Sequence, residues 1–204
     1  MPPSNLAIIT CSTREPRLNP YITDYIHSIL LQETAHYPSV DKLTLTIIDL
    51  ASQNLPLYNE PAIPSHLPAS DPTPHYTHAH TRAWSTLIQQ YDGFIFVTPQ
   101  YNWSIPAALK NALDYLFYEW KGKVAGIVTY GGRGGGKAGE HLQQILTGLR
   151  MKPVAMRPGI VVGSAALESC AADGGFQEED LERWRVCGVE EEVRGMIKEM
   201  LNEG

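Results

Sequence analysis

Residue types that bind anions cluster directly after the first apolar segment of the chain, LAIIT. Ser12, Arg14 and Arg17 supply a hydroxyl group and two guanidinium groups. Asn19 and Pro20 follow, and these residue types are favoured at the N-cap and the first position of a helix. Because a helix N-terminus exposes free N–H groups, such a loop can bind a phosphate. An ordinary polar connection can have the same composition.

A second cluster combines stiff backbone with flat side chains. Pro99 and Pro106 bracket the segment TPQYNWSIP and restrict its backbone. The residues between them offer planar faces together with amide and hydroxyl groups: Gln100, Tyr101, Asn102, Trp103 and Ser104. A rigid loop of this kind suits a flat ring.

A third segment, TYGGRGGGKAGEHL, is rich in glycine, which permits either close backbone approach to a ligand or a flexible connection. It matches the G-x-x-x-x-G-K pattern of phosphate loops, but Ala138 stands where that motif needs Ser or Thr. Gly134, Gly136 and Gly139 fit the dinucleotide pattern G-x-G-x-x-G. No acidic residue follows about 20 positions later to bind a ribose, so a dinucleotide-binding Rossmann fold is a weak alternative.

Short apolar segments alternate with segments of helical periodicity, and this alternation positions the three clusters. Strand–helix alternation joins parallel strands, and strands this apolar are covered on both faces. The sequence therefore predicts a doubly wound α/β sandwich, which binds ligands beyond the carboxyl ends of its strands. The predicted strands cover 6–10, 42–50, 93–98, 123–130 and 153–163, and the predicted helices 20–35, 78–91, 106–120 and 137–150.

Two segments depart from the alternation. Residues 51–77 contain six prolines and no periodicity, which predicts a long surface loop. The acidic tail, 165–204, predicts a final helix interrupted near Gly188 with a mostly solvent-facing surface. The sequence contains no internal repeat or second composition regime, so we expect one domain over 1–204.

Overall composition excludes several classes of protein. The net charge of −6 disfavours nucleic acid and anionic membranes as partners. No apolar run reaches the roughly 18 residues of a membrane span, and the N-terminus lacks signal-peptide features, so we expect a cytoplasmic protein. Cys11, Cys170 and Cys187 lack C-x-x-C spacing and are predicted to be free thiols, with Cys11 a buried apolar residue rather than a reactive one.

Other polar and aromatic groups carry less functional signal. His75, His78 and His80 stand at a predicted helix start and are interpreted as solvated side chains rather than metal ligands. The helix after the proline-bracketed segment has a core stripe with helical spacing: Leu109, Ala112, Leu113, Leu116 and Phe117.

Four segments in order resemble the NADPH-dependent FMN reductase family of flavodoxin-like proteins. They are STREPRLNPYITDYI, LPLYNEPAIP, TPQYNWSIPAALKNALDYL and VTYGGRGGGKAGEHLQQIL, which together span most of residues 6–150. The resemblance implies a flavodoxin-like three-layer sandwich with a five-stranded parallel sheet in the order 2-1-3-4-5, and FMN at its switch point.

The resemblance also implies roles for individual residues. The phosphate of FMN would be bound by Ser12, Arg14 and Arg17 with the backbone near Asn19. The isoalloxazine would be lined by Pro99, Gln100, Tyr101, Asn102 and Ser104, and its other edge would be bordered by Tyr130, Gly131 and Gly132. Members usually have Gly at position 11 and a small residue or His at position 103, so Cys11 and Trp103 depart from the pattern. The bulk of Trp103 would narrow the acceptor pocket or cover the flavin.

The implied activity is transfer of a hydride from NADPH or NADH, through FMN, to a quinone or similar small acceptor by a ping-pong mechanism. No catalytic side chain and no metal are needed. Tyr115, Tyr118 and Trp120 add aromatic surface that indicates a homodimer, with packing inside one chain as the alternative. A flavodoxin-like electron carrier and a cofactor-free binding module are the alternative functions, because fold does not determine function.

Overall fold

The computed structural model describes residues 2–34 and 43–202, so residues 35 and 42 at the ends of two predicted elements lie outside it. The strands run β1 Asn5–Thr10, β2 Thr44–Asp49, β3 Gly93–Pro99, β4 Val124–Gly131, β5 Lys152–Pro153 and β6 Gly159–Val161. The helices run α1 Asn19–Thr34, α2 Ala79–Gln89, α3 Ala107–Asp114, α4 Gly136–Gly148, α5 Ala166–Asp173, α6 Glu178–Val186 and α7 Val189–Asn202.

All described strand pairs are parallel, in the order β2-β1-β3-β4-β5, which confirms the predicted topology. Thr10 at the end of β1 pairs with Asp49 of β2 and Val97 of β3. Pro99 at the end of β3 pairs with Tyr130 of β4. This register brings the loops after β1, β3 and β4 to one edge of the sheet, where the three sequence clusters were expected.

The fifth position of the sheet contains two short strands instead of the single strand predicted over 153–163. Both β5 and β6 pair with β4. Pro153 and Pro158 have no N–H group to contribute to a continuous ladder. The intervening chain still follows β4, because the N–H of Val154 donates to the carbonyl of Ala125 and the N–H of Thr129 donates to that of Pro158.

Strands β1, β3 and β4 are covered on both faces, which gives three layers, whereas the edge strand β2 is largely exposed, contrary to the prediction for it. Alternate residues of β3 point to opposite sides, so Phe94 and Phe96 lie in one core while Ile95 and Val97 lie in the other. Helices α2, α3 and α4 cover the first side, and α1 and α7 cover the second.

The acidic tail contributes to this core, so the prediction of a mostly solvent-facing surface is wrong for α7. Its buried residues recur at helical spacing and pack toward α1 and β4: Val189, Val193, Met196, Ile197 and Met200. The acidic residues occupy other faces of the helix, so their abundance obscured an amphipathic pattern. The predicted interruption near Gly188 is confirmed, because Gly188 has a φ of 80° between α6 and α7.

Helix α3 ends at Asp114, earlier than the predicted 106–120. Glu119, buried in the turn that follows, accepts hydrogen bonds from the hydroxyl of Ser85 at 2.6 Å and the N–H of Phe117 at 3.2 Å. Tyr115 and Trp120 are buried within the chain's own core. The prediction that these aromatic residues form an exposed surface for a second subunit is therefore wrong for both.

The predicted core stripe is confirmed for four of its five residues, because Leu109, Ala112, Leu113 and Leu116 are buried. Phe117 is only partly buried, and it lies with Leu116 beyond the end of α3, so the stripe is wrong at its last position. Residues 51–77 contain 3-10 turns but no α-helix or strand within that range. In the described part of the chain, no helix is both long and apolar enough to cross a membrane.

Candidate functional site

Asn19 fixes the loop after β1 at the start of α1. Its amide oxygen accepts the N–H of Ser12 at 2.6 Å, and its amide nitrogen donates to the carbonyl of Val97 at 3.0 Å. Ser12 and Asn19 are fully buried. Because the Asn19 side chain is used inside the protein, its predicted contribution to phosphate binding rests on the backbone of the first turn of α1.

The two arginines of this loop have different surroundings. The Arg17 guanidinium donates to both carboxylate oxygens of Asp49, at 2.7 and 2.5 Å, and to the carbonyl of Ser12 at 2.5 Å. These contacts use three of its five N–H groups. The side chain of Arg14 is exposed, and its guanidinium makes no hydrogen bond or ion pair with any described residue. Arg14 is therefore the cation of this loop that is free to bind a ligand.

The Arg17–Asp49 pair is strongly ionic. The hydrogen bond to Asp49 raises the pKa of the Arg17 guanidinium. Burial by itself raises the pKa of Asp49, but hydrogen bonds from Arg17 and the N–H of Ala51 outweigh it and lower that pKa. The pair remains charged around neutral pH and joins the loop after β1 to the end of β2.

The chain after β3 forms a two-residue turn. The N–H of Tyr101 donates to the carbonyl of Ser104, and the N–H of Ser104 donates to that of Tyr101, both at 2.9 Å. Asn102 and Trp103 have φ angles of 46° and 66°, as in a type I′ turn. Asn tolerates this left-handed conformation, whereas a bulky residue such as Trp is strained by it, at a cost of roughly 1–2 kcal/mol.

Hydrogen bonds fix this turn to the neighbouring loops. The hydroxyl groups of Ser12 and Tyr101 are 2.8 Å apart, and the hydroxyl of Ser104 lies 2.5 Å from Nδ1 of His141 on α4. The side-chain oxygen of Gln100 accepts the N–H groups of Lys137 and Ala138 at 3.0 and 3.3 Å. Gln100 therefore caps the N-terminus of α4 from the loop after β3.

The glycine-rich segment after β4 contains two kinds of glycine. Gly135 has a φ of 79°, and a Cβ there would lie 2.9 Å from Cβ of Thr129, so the fold itself requires glycine. A Cβ on Gly132 would meet no atom within 4 Å. Gly131 also has room, because the nearest atom to a Cβ at that position would be Cβ of Gln100 at 3.8 Å. The fold does not demand glycine at these two positions, whereas a ligand lying against the backbone would.

Tyr130 lies between the glycine-rich segment and the loop after β1. It is buried, and burial is the main cause that raises the pKa of its phenol, followed by the proximity of Tyr101 and Cys11. Tyr130 is therefore a neutral phenol at physiological pH.

The structure brings together the sequence-predicted residues of all three loops. Two residues of the arrangement were not predicted from sequence, namely Asp49 and His141. Asp49 is the last residue but one of the strand predicted over 42–50 and the last residue of β2. The predicted order, which places this strand beside the first one, was the signal that could have found it. His141 follows the glycine-rich segment on α4, and nothing in its local spacing indicates its contact with Ser104.

The other sequence interpretations have structural counterparts. Cys11 is fully buried, and burial raises the pKa of its thiol, which confirms an unreactive apolar role. His75 is exposed as predicted, but His78 and His80 are partly buried and their ring nitrogens are hydrogen-bonded to Asn59, so the prediction of solvated side chains holds only in part for these two. Within residues 2–34 and 43–202, no group of three or more His, Cys, Asp and Glu side chains is arranged to bind a metal ion.

The arrangement supplies a cation and open backbone of the kinds that bind FMN. An unpaired Arg14 and the start of α1 suit a phosphate, and the open backbone at Gly131 and Gly132 suits close approach of a ring. The sequence matches the NADPH-dependent FMN reductase family over residues 4–165. The chain belongs to this family. Membership confirms the predicted resemblance, the oxidoreductase class and FMN as the cofactor of the family.

Sequence similarity to members of the FMN reductase family extends over most of the chain. The NAD(P)H-dependent FMN reductase ntnL of Nectria sp. is 34% identical over 199 residues, which are 97% of this chain and 95% of that protein. The NAD(P)H-dependent FMN reductase LOT6 of Saccharomyces cerevisiae is 40% identical over 151 residues, 73% of this chain and 76% of that protein.

A solved structure agrees with the flavodoxin-like fold of the family. FerB, a flavoenzyme NAD(P)H:(acceptor) oxidoreductase from Paracoccus denitrificans, superposes with a TM-score of 0.69 at 21% identity. The match covers 98% of this chain and 99% of FerB.

Proposed function

We propose that this FMN reductase family member transfers reducing equivalents from NADPH or NADH to a quinone or a similar small acceptor. The observation that carries the proposal is the exposed, unpaired Arg14 in a loop that is hydrogen-bonded, through Ser12 and Tyr101, to the turn after β3. A free cation and a rigid ring-binding loop are thereby joined at one edge of the sheet. This pairing suits a ligand that has both a phosphate and a flat ring.

The chain's own residues would bind and orient the cofactor. Arg14, the two remaining N–H groups of Arg17 and the backbone near Asn19 would bind the phosphate. Ser12, whose hydroxyl is buried and bonded to Tyr101, would position this loop around it. The ring would be lined by the five residues after β3 named above, which are Pro99, Gln100, Tyr101, Asn102 and Ser104. Its other edge would lie along Tyr130, Gly131 and Gly132, where the phenol of Tyr130 stays neutral and the glycine backbone is open.

Bound FMN would supply the redox chemistry by accepting a hydride and passing two electrons to the acceptor. The balanced reaction is NAD(P)H plus a proton plus quinone giving NAD(P)⁺ plus hydroquinone. In a ping-pong mechanism, the nicotinamide leaves before the acceptor binds at the same face of the site. This sequence requires no side-chain nucleophile, and the protein's part is orientation and stabilisation of charge.

The proposal also covers the domain organisation, location, oligomeric state and partners of the protein. Residues 1–204 act as one domain, and the protein acts in the cytoplasm. A homodimer rests on the family resemblance alone, since Tyr115 and Trp120 are buried inside the chain; light scattering after size-exclusion chromatography tests it. Acceptors and coenzymes are small molecules, with neither nucleic acid nor membrane as partner.

An absorption spectrum tests the proposed function. The purified protein is incubated with FMN, freed of unbound flavin and examined for visible flavin bands at about one FMN per chain. Anaerobic addition of NADPH or NADH should then bleach those bands, and a quinone should restore them. An electron carrier would retain FMN but bleach slowly, and a cofactor-free binding module would retain no flavin, so either result contradicts the reductase function.

A further inference from the structure

Trp103 differs from every other tryptophan of the chain in its exposure. Its side chain is 69% exposed, whereas Trp84, Trp120 and Trp184 are each at most 2% exposed. The indole N–H groups of those three donate to backbone carbonyl groups. The indole of Trp103 has no hydrogen bond or ring contact with any residue the structure describes.

The backbone conformation at Trp103 is strained. The φ of 66° is left-handed, and the second central position of a type I′ turn strongly favours glycine. A glycine would relieve this strain and remove an exposed apolar ring. Strained residues of this kind persist where the surrounding structure fixes them, and they concentrate at ligand-binding sites.

The surrounding structure fixes this turn on both sides. Tyr101 and Ser104 form two backbone hydrogen bonds across it. Their side chains are bonded to Ser12 in the loop after β1 and to His141 on α4. The indole of Trp103 is thus a flat apolar surface on a rigid support, inside the loop that is proposed to bind the flavin ring.

We infer that Trp103 is a specificity-determining residue that stacks on flat, fused-ring aromatic acceptors. The inference rests on the proposed function and narrows its substrate class to two-ring quinones in preference to single-ring ones. Stacking favours such acceptors because the contact grows with the area of the overlapping rings, and offset-stacked aromatic pairs are stabilising beyond simple burial. A single rigid indole offers an area that suits a small flat ligand.

Equilibrium binding to the FMN-loaded protein, without NADPH, tests the inference. The ligands are 2,3-dimethyl-1,4-naphthoquinone and tetramethyl-1,4-benzoquinone, whose fully substituted quinone rings do not add thiols. Trp103→Gly should weaken binding of the two-ring quinone about fivefold or more and change the single-ring affinity less than about twofold. Trp103→Phe should retain most of the difference between the two ligands.

A second readout uses the protein without flavin. Trp103→Gly should unfold at a higher temperature than the wild type, because glycine removes the left-handed strain. Arg150→Gly is the matched control, since Arg150 has a φ of 62° beyond the end of α4 and lies outside the proposed site. It should leave both quinone affinities unchanged, while its unfolding temperature combines relief of the left-handed strain with loss of the Arg150 guanidinium contact, 5.6 Å from the centroid of the Phe117 ring.

The outcomes separate failure of the inference from failure of the proposed function. Equal quinone affinities in the wild type and in Trp103→Gly, with FMN bound and reducible, overturn the inference alone. Weaker FMN binding by Trp103→Gly would show that the indole covers the flavin, and a changed oligomeric state would show that it contacts another subunit; either also overturns it. A wild-type protein that binds no FMN overturns both.

Discussion

The hydroxyl of Ser12 lies 2.8 Å from the hydroxyl of Tyr101 and directly joins the loop after β1 to the turn after β3. Ser12 is fully buried, so its hydroxyl depends on protein partners. The Ser12→Ala and Tyr101→Phe variants and their double variant should give a coupling free energy of about 1 kcal/mol in urea unfolding of the flavin-free protein. Strictly additive single effects would show that the two hydroxyl groups do not stabilise the fold together.

The two kinds of glycine after β4 should respond differently to a methyl group. Gly135→Ala combines a φ of 79° with a contact at 2.9 Å and should destabilise the protein by about 2 kcal/mol or more. Gly132→Ala enters open space and should change the free energy of unfolding by less than about 0.5 kcal/mol. Fluorescence titration should nevertheless show weaker FMN binding by Gly132→Ala. Unchanged FMN affinity would show that the cofactor does not approach this backbone.

Arg14 should contribute to binding of the phosphate and not of the ring. Its guanidinium has no partner in the described structure, so Arg14→Gln should leave the fold intact. We expect FMN binding about tenfold weaker, which is about 1.4 kcal/mol, and riboflavin binding within about twofold of wild type. Titration calorimetry with the two flavins measures this difference. An equal loss of affinity for FMN and riboflavin would show that Arg14 contacts the ring instead of the phosphate.

Gln100 should stabilise α4 by capping it. Gln100→Ala removes the acceptor of the Lys137 and Ala138 N–H groups and should cost about 1 kcal/mol in chemical unfolding of the flavin-free protein. Gln100→Glu keeps an acceptor and places negative charge at a helix N-terminus, so its stability should lie within about 0.5 kcal/mol of wild type. Equal stability of all three proteins would contradict a capping role.

Lys123 should make stability depend on pH above neutrality. Burial lowers the pKa of its ammonium group from 10.5 to about 8. Between these values the unfolded chain binds more protons than the folded one, so this group makes stability rise as pH increases from about 8 to about 10. Urea unfolding across this range measures the slope.

Lys123→Met removes the titrating group and serves as the control. The rise in stability between about pH 8 and pH 10 should be smaller in this variant than in the wild type, while effects of other groups remain in both. Parallel pH profiles of the two proteins would show that Lys123 retains its ordinary pKa in the folded state.

Much of the candidate site followed from the sequence because a parallel sheet brings its strand ends together. Apolar segments of strand length, separated by helical segments, were enough to place the loops containing Ser12, Gln100 and Gly132 at one edge. Local residue types then indicated anion binding in the first loop and ring binding in the second. The fifth strand was less predictable, because Pro153 and Pro158 interrupt it and leave two short strands, β5 and β6, that both pair with β4.

The tertiary structure decided which groups are free and which are engaged. The sequence does not distinguish Arg14 from Arg17. In the structure, Asp49, 32 residues beyond Arg17, forms an ion pair with Arg17, and Arg14 has no such partner among the described residues. Ser12 and Tyr101 are 89 residues apart, and their hydrogen bond depends on the pairing of β1 with β3. The burial of Tyr115, Trp120 and α7 likewise depends on partners from distant segments. Periodicity and composition report local preferences, whereas the partner of a side chain is determined only when the packed layers bring remote segments into contact.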